Sequence, residues 1–389
     1  MWIKGKAYYE GEIKEICINF DRSIKEIRAN CKPDMTFTNE ELILPASVDL
    51  HVHVRGAQLS YKETVATATS EAVYGGVGVI VDMPNTVPYI NTPERIKERL
   101  REFQLYSRTD YGIYSGVSKE VEEIDKLPIA GYKIYPEDLE KEETRYVLEK
   151  SKKLKILHPE MPFVSKIERS LRRSYWMETA AINLVKGNMH ITHITNFETL
   201  QLAKSMGFTT DITAHHLVVD GERDCISKVN PPIRDYVTRL KLFLKGLFEV
   251  DCIASDHAPH SKEEKRMNFD LCPPGIAGVS FSTPYIYSLM FKGLISIDRA
   301  VSLLSGNPSR ILNIPTGKIK EGYRANFTVI KRENWRYTTK FSKVTETPMD
   351  GFSLDAKVTN VIVEGKLAFD GENVYPIRGV NIFDSSSRS

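Results

Sequence analysis

The sequence predicts an α/β protein in which a (β/α)8 barrel carries a small β-sandwich built by both termini. Within residues 45–312, short apolar runs alternate with amphipathic stretches, and eight strand-then-helix units can be counted. Such alternation is typical of a parallel sheet, and eight units in about 265 residues suit a closed barrel. Residues 1–44 and 313–389 instead show short alternating strands separated by turn residues. Neither end has a core of its own, so we expect both to pair into one β-sandwich, followed by a short tail.

The barrel units follow one another in order along the chain. Each strand is a short run rich in apolar and β-branched residues, and amphipathic stretches separate the runs. The predicted strands are 42–50, 77–83, 111–117, 130–135, 154–157, 189–194, 208–213 and 251–255. The predicted helices are 93–106, 119–126, 140–152, 165–186, 197–206, 237–248, 284–291 and 297–304.

Composition excludes several classes of protein. The 53 basic and 51 acidic residues leave a net charge of +2, which offers no basic field for nucleic acid. There is no apolar run of membrane-spanning length and no secretory signal at the N-terminus, so we expect a cytoplasmic protein. The five cysteines are widely scattered and form no CxxC pair, which favours free thiols in a reducing compartment.

A pair of histidines lies at the end of the first predicted strand. His51 and His53 are two residues apart, and residues two apart in a strand point to the same side. Two imidazoles so placed can hold one metal ion, and imidazole is a common zinc ligand. The alternative is a pair of surface histidines in a loop, because short motifs produce many false matches.

Three further ligand-type residues follow other predicted strands. His158 follows the fifth strand, His193 lies at the end of the sixth, and Asp256 follows the eighth. The carboxyl ends of all strands in a (β/α) barrel meet at one mouth, where the active site lies. A single histidine at a strand end is more often a packing residue. Four such positions on four strands are hard to explain by packing, so they predict a metal site at the barrel mouth.

Lys133 lies inside the apolar fourth strand, where an unpaired ammonium is strongly penalised. One interpretation is a lysine that reaches outward to water or pairs with an acid, and strand position alone favours it. The other is a lysine carbamylated by carbon dioxide, which becomes a carboxylate able to bridge two metal ions. Burial favours that reaction because it lowers the pKa of the amine.

Seven motifs occur along the barrel part of the chain. They are HVHVR at 51–55, MPNT at 83–86, GYK at 131–133, His158, HITH at 190–193, AHH at 214–216 and SDHAPH at 255–260. Taken together, they resemble the amidohydrolase superfamily and, within it, the dihydroorotase family. The resemblance covers about residues 44–312 and is much more specific than any one motif.

The resemblance implies a binuclear zinc site. One zinc ion would be held by His51, His53 and Asp256, and the other by His158 and His193. Carbamylated Lys133 and a hydroxide would bridge the two ions. The residues that the resemblance implies for the substrate are Arg55, Asn85 and His260 on its carboxylate, with Asn230 and Gly275 on its ring.

The resemblance also implies an activity, the reversible cyclisation of N-carbamoyl-L-aspartate to L-dihydroorotate in pyrimidine synthesis. Asp256 would be the general acid and base as well as a ligand. The substrate is then a small molecule. A homo-oligomer, or association with a carbamoyltransferase, is a possible assembly. Whether a loop closes over the substrate stays open, because the segment after Lys133 lacks the threonine that some dihydroorotases carry there.

Two other functions compete with this interpretation. Dihydropyrimidinase, hydantoinase and allantoinase use the same metal set, but their rings carry no carboxylate, so Arg55 favours dihydroorotase. A non-catalytic scaffold of the same fold is expected to lose metal ligands, and here each expected ligand is present. The pair His215 and His216 follows the seventh strand, and we expect it to pack behind the site because the metal set is complete without it.

Overall fold

The structure is a computed structural model that describes residues 1–172 and 174–384, so the predicted tail at 385–389 lies outside the described residues. The described chain contains no helix long and apolar enough to cross a membrane. Its strands are β1 Trp2–Tyr9, β2 Glu12–Phe20, β3 Ile24–Arg28, β4 Met35–Thr36, β5 Glu41–Pro45, β6 Ser47–Val52, β7 Val77–Asp82, β8 Asp110–Ser115, β9 Gly131–Ile134, β10 Leu154–Leu157, β11 Met189–Ile191, β12 Thr209–Thr213, β13 Cys252–Ala254, β14 Phe327–Arg336, β15 Ser353–Val363 and β16 Lys366–Phe369.

Helices follow or flank most of the barrel strands. Short 3-10 turns lie at Ala57–Leu59, Pro136–Asp138 and Pro162–Lys166, and two π-helical turns lie at Leu242–Gly246 and Ser302–Gly306. The α-helices are α1 Val65–Tyr74, α2 Pro93–Tyr106, α3 Val121–Asp125, α4 Glu142–Lys150, α5 Arg169–Arg172, α6 Trp176–Ile182, α7 Phe197–Ser205, α8 Ala214–Val218, α9 Tyr236–Lys241, α10 Leu247–Glu249, α11 Lys262–Lys265, α12 Val279–Phe291, α13 Ile297–Val301 and α14 Asn307–Leu312.

The eight strands β6 to β13 form a parallel sheet in sequence order, which confirms the predicted barrel. A parallel bridge between Val52 and His257 connects the first strand to the segment after the last, and the His53 amide donates to the His257 carbonyl at 2.7 Å. The strands are buried on both faces, as expected where helices cover a parallel sheet. This closure brings the carboxyl ends of β6 and β13 side by side.

The remaining eight strands come from both ends of the chain, as the sequence predicts, and they form one mixed sheet. Its order is β16, β15, β14, β5, β1, β2 and β3, with β4 paired to β1. Apolar side chains from the two ends pack into one cluster, and Phe20 contacts Phe327 with ring centroids 5.2 Å apart. Neither end could bury this surface alone. The bounds 1–44, 45–312 and 313–389 stay a prediction.

The first predicted strand, 42–50, is wrong as a single element. β5 pairs with β1 and β14 in the terminal sheet, whereas β6 pairs with β7 in the barrel. The chain changes sheets at Ala46, whose amide donates to the Asn326 carbonyl at 3.0 Å. A continuous apolar run fits both strands because each is buried, so the pattern does not mark the change.

The predicted helix at 165–186 is also wrong. The described part of this segment forms the 3-10 turn Pro162–Lys166 and the short helices α5 and α6. Arg169 makes its polar contacts with Glu222 and Asn230, more than fifty residues away. Long-range contacts of this kind override local helix propensity.

The expectation of free thiols is wrong for four of the five cysteines. Disulfides join Cys17 to Cys31 and Cys225 to Cys272, and only Cys252 is a free, buried thiol. The spacing along the chain hides both pairs. Cys17 lies on β2, and the antiparallel return of β3 brings Cys31 back to it. An odd number of cysteines does not exclude disulfides, because five cysteines can form two disulfide bonds and leave one free thiol.

Candidate active site

The barrel brings the predicted metal ligands together at one mouth. His51 is the penultimate residue of β6, His53 comes directly after the strand, and Lys133 lies in β9. The other ligands follow strands at the same end: His158 directly after β10, and His193 and Asp256 two residues beyond β11 and β13. The rings of His51 and His53 lie 5.0 Å apart, and those of His158 and His193 lie 4.4 Å apart.

In the first ligand group, lone-pair atoms of His51, His53 and Asp256 point toward one another, an arrangement that suits a cation. A neutral imidazole carries one ring proton. In His53 that proton is on Nδ1, 2.6 Å from the Asn85 Oδ1 acceptor, so Nε2 carries a lone pair. This Nε2 lies 3.1 Å from both His51 Nε2 and Asp256 Oδ1. Ligand atoms of His51, His53 and Asp256 all lie within 4.8 Å of one another, so the three residues fit a metal ion.

The electrostatics of this group keep His51 neutral and the Asp256 carboxylate charged. Burial lowers the pKa of His51 well below its usual value, and the nearby Lys133 ammonium lowers it further. Burial raises the pKa of Asp256, but contacts with His53 and the charge of Lys133 outweigh it, so that pKa is lowered. Metal ions bind neutral imidazole and ionised carboxylate, which are the forms present here.

The second group consists of His158 and His193. The buried Glu160 carboxylate lies 2.6 Å from His158 Nε2 and fixes the ring, as carboxylates commonly do for metal-ligating histidines. The His193 amide donates to Asp211 Oδ1 at 2.6 Å, which fixes the backbone that carries this ring. Burial and the nearby His158 lower the pKa of His193, so its imidazole is neutral, which is the form that binds a metal ion.

Lys133 is fully buried, and its Nζ has no hydrogen-bond partner among the described residues. Burial lowers its pKa to about 7, although the carboxylates of Asp256, Asp211 and Asp138 oppose the shift. A buried polar group without a hydrogen-bond partner destabilises the fold by about 1–3 kcal/mol, and a charged group destabilises it by more. The neutral amine that burial favours is the form able to react with carbon dioxide. This environment fits the carbamate interpretation better than the outward-reaching one.

The pocket has two poles: the metal ligands form one, and the N–H groups of Arg55, Lys62 and His260 lie together at the other. Lys62 Nζ lies 3.1 Å from His260 Nδ1, and an ammonium only donates, so Nδ1 accepts and the ring proton is on Nε2. His260 Nε2 donates to the Pro274 carbonyl at 3.0 Å, and Arg55 Nη2 lies 3.3 Å from the same nitrogen. Two donors in contact, one of them a guanidinium, form a site for an anion.

The pocket between the two poles has a volume of about 280 Å³. Its lining contains most of the predicted substrate residues, since Arg55, Asn85, Asn230 and Gly275 all reach it. Asn85 also holds His53, a contact the sequence does not reveal. His260 and Lys133 act behind the lining. Additional lining residues beyond the predicted set include Tyr135, Glu137 and Val164.

Three site residues have backbone conformations that side chains rarely adopt. Arg55, His193 and Asp256 have φ angles of 63°, 41° and 46°. Each such residue costs on the order of 1–3 kcal/mol, and residues of this kind cluster at functional sites. The strain turns these side chains into the mouth immediately after their strands end.

Supporting residues that the sequence analysis missed lie directly behind the ligands. Thr192 Oγ1 contacts His51 Nδ1 at 2.6 Å, and Asp49 Oδ1 accepts from the His51 amide at 3.1 Å. Lys62, which sets the tautomer of His260, forms an ion pair with Glu264 at 2.8 Å. These supporting residues lie in ordinary strand and loop segments, so no local sequence pattern predicts their role.

The histidine pair after β12 packs behind the pocket. His216 Nε2 donates to the Pro231 carbonyl at 2.9 Å, and Thr213 Oγ1 lies 2.6 Å from His216 Nδ1. His215 stacks beside it with ring centroids 4.4 Å apart. His216 therefore fixes the backbone next to Asn230.

Comparison with known proteins identifies the family. The chain is 68% identical over 388 residues to the dihydroorotase of Sulfurisphaera tokodaii, an alignment that covers 100% of this chain and 99% of the relative. The chain belongs to the dihydroorotase family. It is 57% identical over 386 residues to the dihydroorotase of Saccharolobus solfataricus, with 98% of each chain covered. Residues 40–131 match the dihydro-orotase-like family, and residues 181–368 match the amidohydrolase family. This family member is therefore a hydrolase of the amidohydrolase superfamily.

Solved structures of other cyclic amidohydrolases share the fold. The L-hydantoinase of Arthrobacter aurescens superposes with a TM-score of 0.86 at 18% identity, covering 96% of this chain and 97% of that one. The dihydropyrimidinase of Brevibacillus agri superposes with a TM-score of 0.85 at 17% identity, covering 99% and 98%. Identities this low show the fold alone.

Proposed function

We propose that this dihydroorotase family member catalyses the reversible cyclisation of N-carbamoyl-L-aspartate to L-dihydroorotate and water in pyrimidine biosynthesis. The observation that carries the proposal is the pair of opposed poles in one pocket. Acceptors converge at His51, His53 and Asp256, and donors converge at Arg55 and His260. A ring that carries both an amide and a carboxylate matches this arrangement.

Two zinc ions are proposed as the cofactor. His51, His53 and Asp256 would hold one ion, and His158 and His193 the other, with carbamylated Lys133 shared between them. Carbamylation forms a bond between the Lys133 nitrogen and the carbon of carbon dioxide and releases one proton. When bound, such ions lower the pKa of a water molecule and polarise a carbonyl group.

Asp256 moves the proton in the proposed reaction. In hydrolysis its carboxylate accepts the proton of the attacking water and returns it to the ring nitrogen as the C–N bond breaks. In cyclisation the carbamoyl nitrogen attacks the side-chain carboxylate of the substrate's aspartate moiety, and Asp256 takes the proton that the nitrogen loses. As the C–O bond breaks, Asp256 returns this proton to the departing oxygen, which leaves as hydroxide and becomes water with a second proton from solvent. An aspartate carboxyl group is ordinarily ionised near neutral pH, so the accepting form of Asp256 is present there.

Arg55 orients the substrate in this scheme. Its Nε is anchored on the Pro259 carbonyl at 3.1 Å, which directs the outer edge of the guanidinium to the pocket. A planar guanidinium can bind a carboxylate through two parallel hydrogen bonds. The Asn85 amide also lines the pocket and adds a second donor. His260 lies behind Arg55, with its Nε2–H donated to the Pro274 carbonyl. Dihydrouracil, hydantoin and allantoin offer no carboxylate to this pole, so the hydantoinase alternative leaves the buried Arg55 unpaired.

Metal removal and return test the proposal. Protein depleted by a chelator is expected to lose cyclisation of carbamoyl-aspartate, and about two equivalents of zinc per chain should restore it. Zinc content and rate are measured on the same samples. A depleted protein that retains its full rate would exclude the metal-dependent mechanism.

A cytoplasmic location and an assembly with a second copy or a carbamoyltransferase stay predictions.

A further inference from the structure

One wall of the substrate pocket consists of two loops from distant parts of the chain. The first, residues 219–235, connects α8 to α9 and carries Asn230. The second, residues 266–278, connects α11 to α12 and carries Gly275. Asn230 and Gly275 both line the 280 Å³ pocket. Neither loop contains a helix or a strand of its own in the described chain, so its position depends on what ties it down.

The two loops are tied to each other at adjacent points. The Gly275 amide donates to the Lys228 carbonyl at 2.8 Å, two residues before Asn230. The disulfide Cys225–Cys272 joins the same loops three residues before Gly275, with Cα atoms 6.0 Å apart. Both cysteines are buried, at 6% and 2% exposure. The cross-link therefore lies directly behind the wall that faces the substrate.

The buried Lys228 and the half-buried Lys265 reinforce the junction with hydrogen bonds. Lys228 Nζ donates to the Cys272 carbonyl at 2.8 Å, and Lys265 Nζ donates to the carbonyls of Cys225 at 2.8 Å and Pro273 at 3.0 Å. Burial and the neighbouring Lys228 lower the pKa of Lys265 to about 7. Hydrogen bonds contribute only about 1 kcal/mol each to stability, so the covalent bond is the strongest tie between the loops.

We propose that the Cys225–Cys272 disulfide is a positioning element of the substrate pocket, an inference that rests on the proposed function. It fixes the Asn230 loop against the Gly275 loop and thereby sets the width of the pocket. The proposed metal ligands come from other segments and do not depend on this bond. Loss of the bond is therefore expected to weaken substrate binding and to change turnover much less.

The chain supplies a matched control in its other disulfide. Cys17–Cys31 lies in the terminal sheet and has no residue in the pocket lining. For C225A/C272A we expect KM for dihydroorotate to rise about tenfold while kcat changes less than about threefold, because loosened loops must be ordered by the substrate. C17A/C31A should retain both constants. A loss of fold in general would lower the active fraction and kcat instead.

Chemical reduction repeats the test without substitution. A water-soluble trialkylphosphine reduces the disulfide, gives up two electrons and becomes the phosphine oxide. Its oxygen comes from water, whose two hydrogens complete the two thiols. In C17A/C31A the reagent can act only on Cys225–Cys272, so KM should rise as in C225A/C272A. In C225A/C272A the same treatment should leave KM unchanged.

Thiol counts and hydrogen exchange decide the inference independently of activity. Denatured, unreduced wild type should show one titratable thiol, Cys252, and five after reduction. Amides in 219–235 and 266–278 should exchange faster in C225A/C272A than in C17A/C31A. Five thiols before reduction, equal exchange in these loops, or equal KM in both double variants would overturn the inference. A wild type that binds zinc but does not turn over dihydroorotate would overturn the proposed function, while exchange would still decide the role of the disulfide.

Discussion

At the scale of single residues, the site is defined by which atoms can donate and which can accept. His53 Nε2 is an acceptor because the ring proton stays on Nδ1, which donates to Asn85 Oδ1. His260 Nε2 is a donor because Nδ1 accepts from the Lys62 ammonium. Two histidines of identical chemistry thus serve opposite poles. The sequence predicts both as site residues but not their tautomers, since the partners that fix them are 32 and 198 positions away.

Arg55 is expected to decide which ring the enzyme accepts. Removing one partner of a buried, hydrogen-bonded charge pair commonly costs about 2–5 kcal/mol, or roughly 30- to several thousand-fold. Arg55→Ala should therefore retain zinc and fold but lose dihydroorotate turnover, mainly through KM. Turnover of dihydrouracil should not fall in parallel. The measurement is kcat/KM for both rings in both proteins, and equal handling of dihydroorotate by variant and parent would refute the carboxylate contact.

Lys133 is expected to be essential for a chemical reason rather than a packing reason. Lys133→Ala should lower the rate at least about 100-fold and reduce zinc content, because it removes a ligand shared by both ions. A short carboxylic acid supplied with bicarbonate should restore part of the rate. Lys155→Ala is the matched control, since Lys155 is a buried lysine of the neighbouring strand whose ammonium donates to the Ser151 carbonyl. If Lys133→Ala has the zinc content and the catalytic rate of the parent protein, Lys133 has only a structural role.

At the scale of elements, the site depends on where strands end and on how loops are anchored. The sequence predicts the strand ends well, because β10 has the predicted bounds and the ends of β7, β8, β11 and β13 lie within three residues of prediction. Buried parallel strands are short apolar runs, and polar ligand residues stop them abruptly. The loops carry no such signal. Arg169, for example, holds Glu222 and Asn230, and no periodicity predicts contacts over that distance.

The buried ion pair between α6 and the segment after Asn230 is expected to be important for stability. Arg234 Nη2 lies 2.6 Å from Glu178 Oε1, and both side chains are nearly inaccessible. Glu178→Gln leaves the guanidinium without its counter-charge, which commonly costs about 3–5 kcal/mol in the free energy of unfolding.

The control for Glu178→Gln is an exposed pair of the same kind. Lys126 and Glu123 lie 3.0 Å apart on the surface, and Glu123→Gln should have almost no effect on unfolding. Denaturant unfolding of both variants gives the comparison. Equal stability of the two variants would show that the buried pair contributes nothing beyond a surface contact.

At the scale of the whole molecule, the fold follows from patterns that extend over the entire chain. Eight alternating units predict the barrel, and two ends without cores predict the shared sheet, whose strands β1 and β14 both pair with β5. What the sequence could not predict depends on distances through space: the transfer from one sheet to the other at Ala46 and the two disulfides. Cysteine spacings of 14 and 47 residues carry no information about such distances.

The central claim is that this barrel mouth acts on a cyclic amide bearing a carboxylate. The most direct test is the hydrolysis of dihydroorotate, dihydrouracil and allantoin, measured side by side on one zinc-loaded preparation. Because Arg55, which His260 contacts from behind, offers donors to a carboxylate that only dihydroorotate carries, its kcat/KM should exceed the other two by at least about 100-fold. Preference for dihydrouracil or allantoin, or equal rates on all three, would contradict the account.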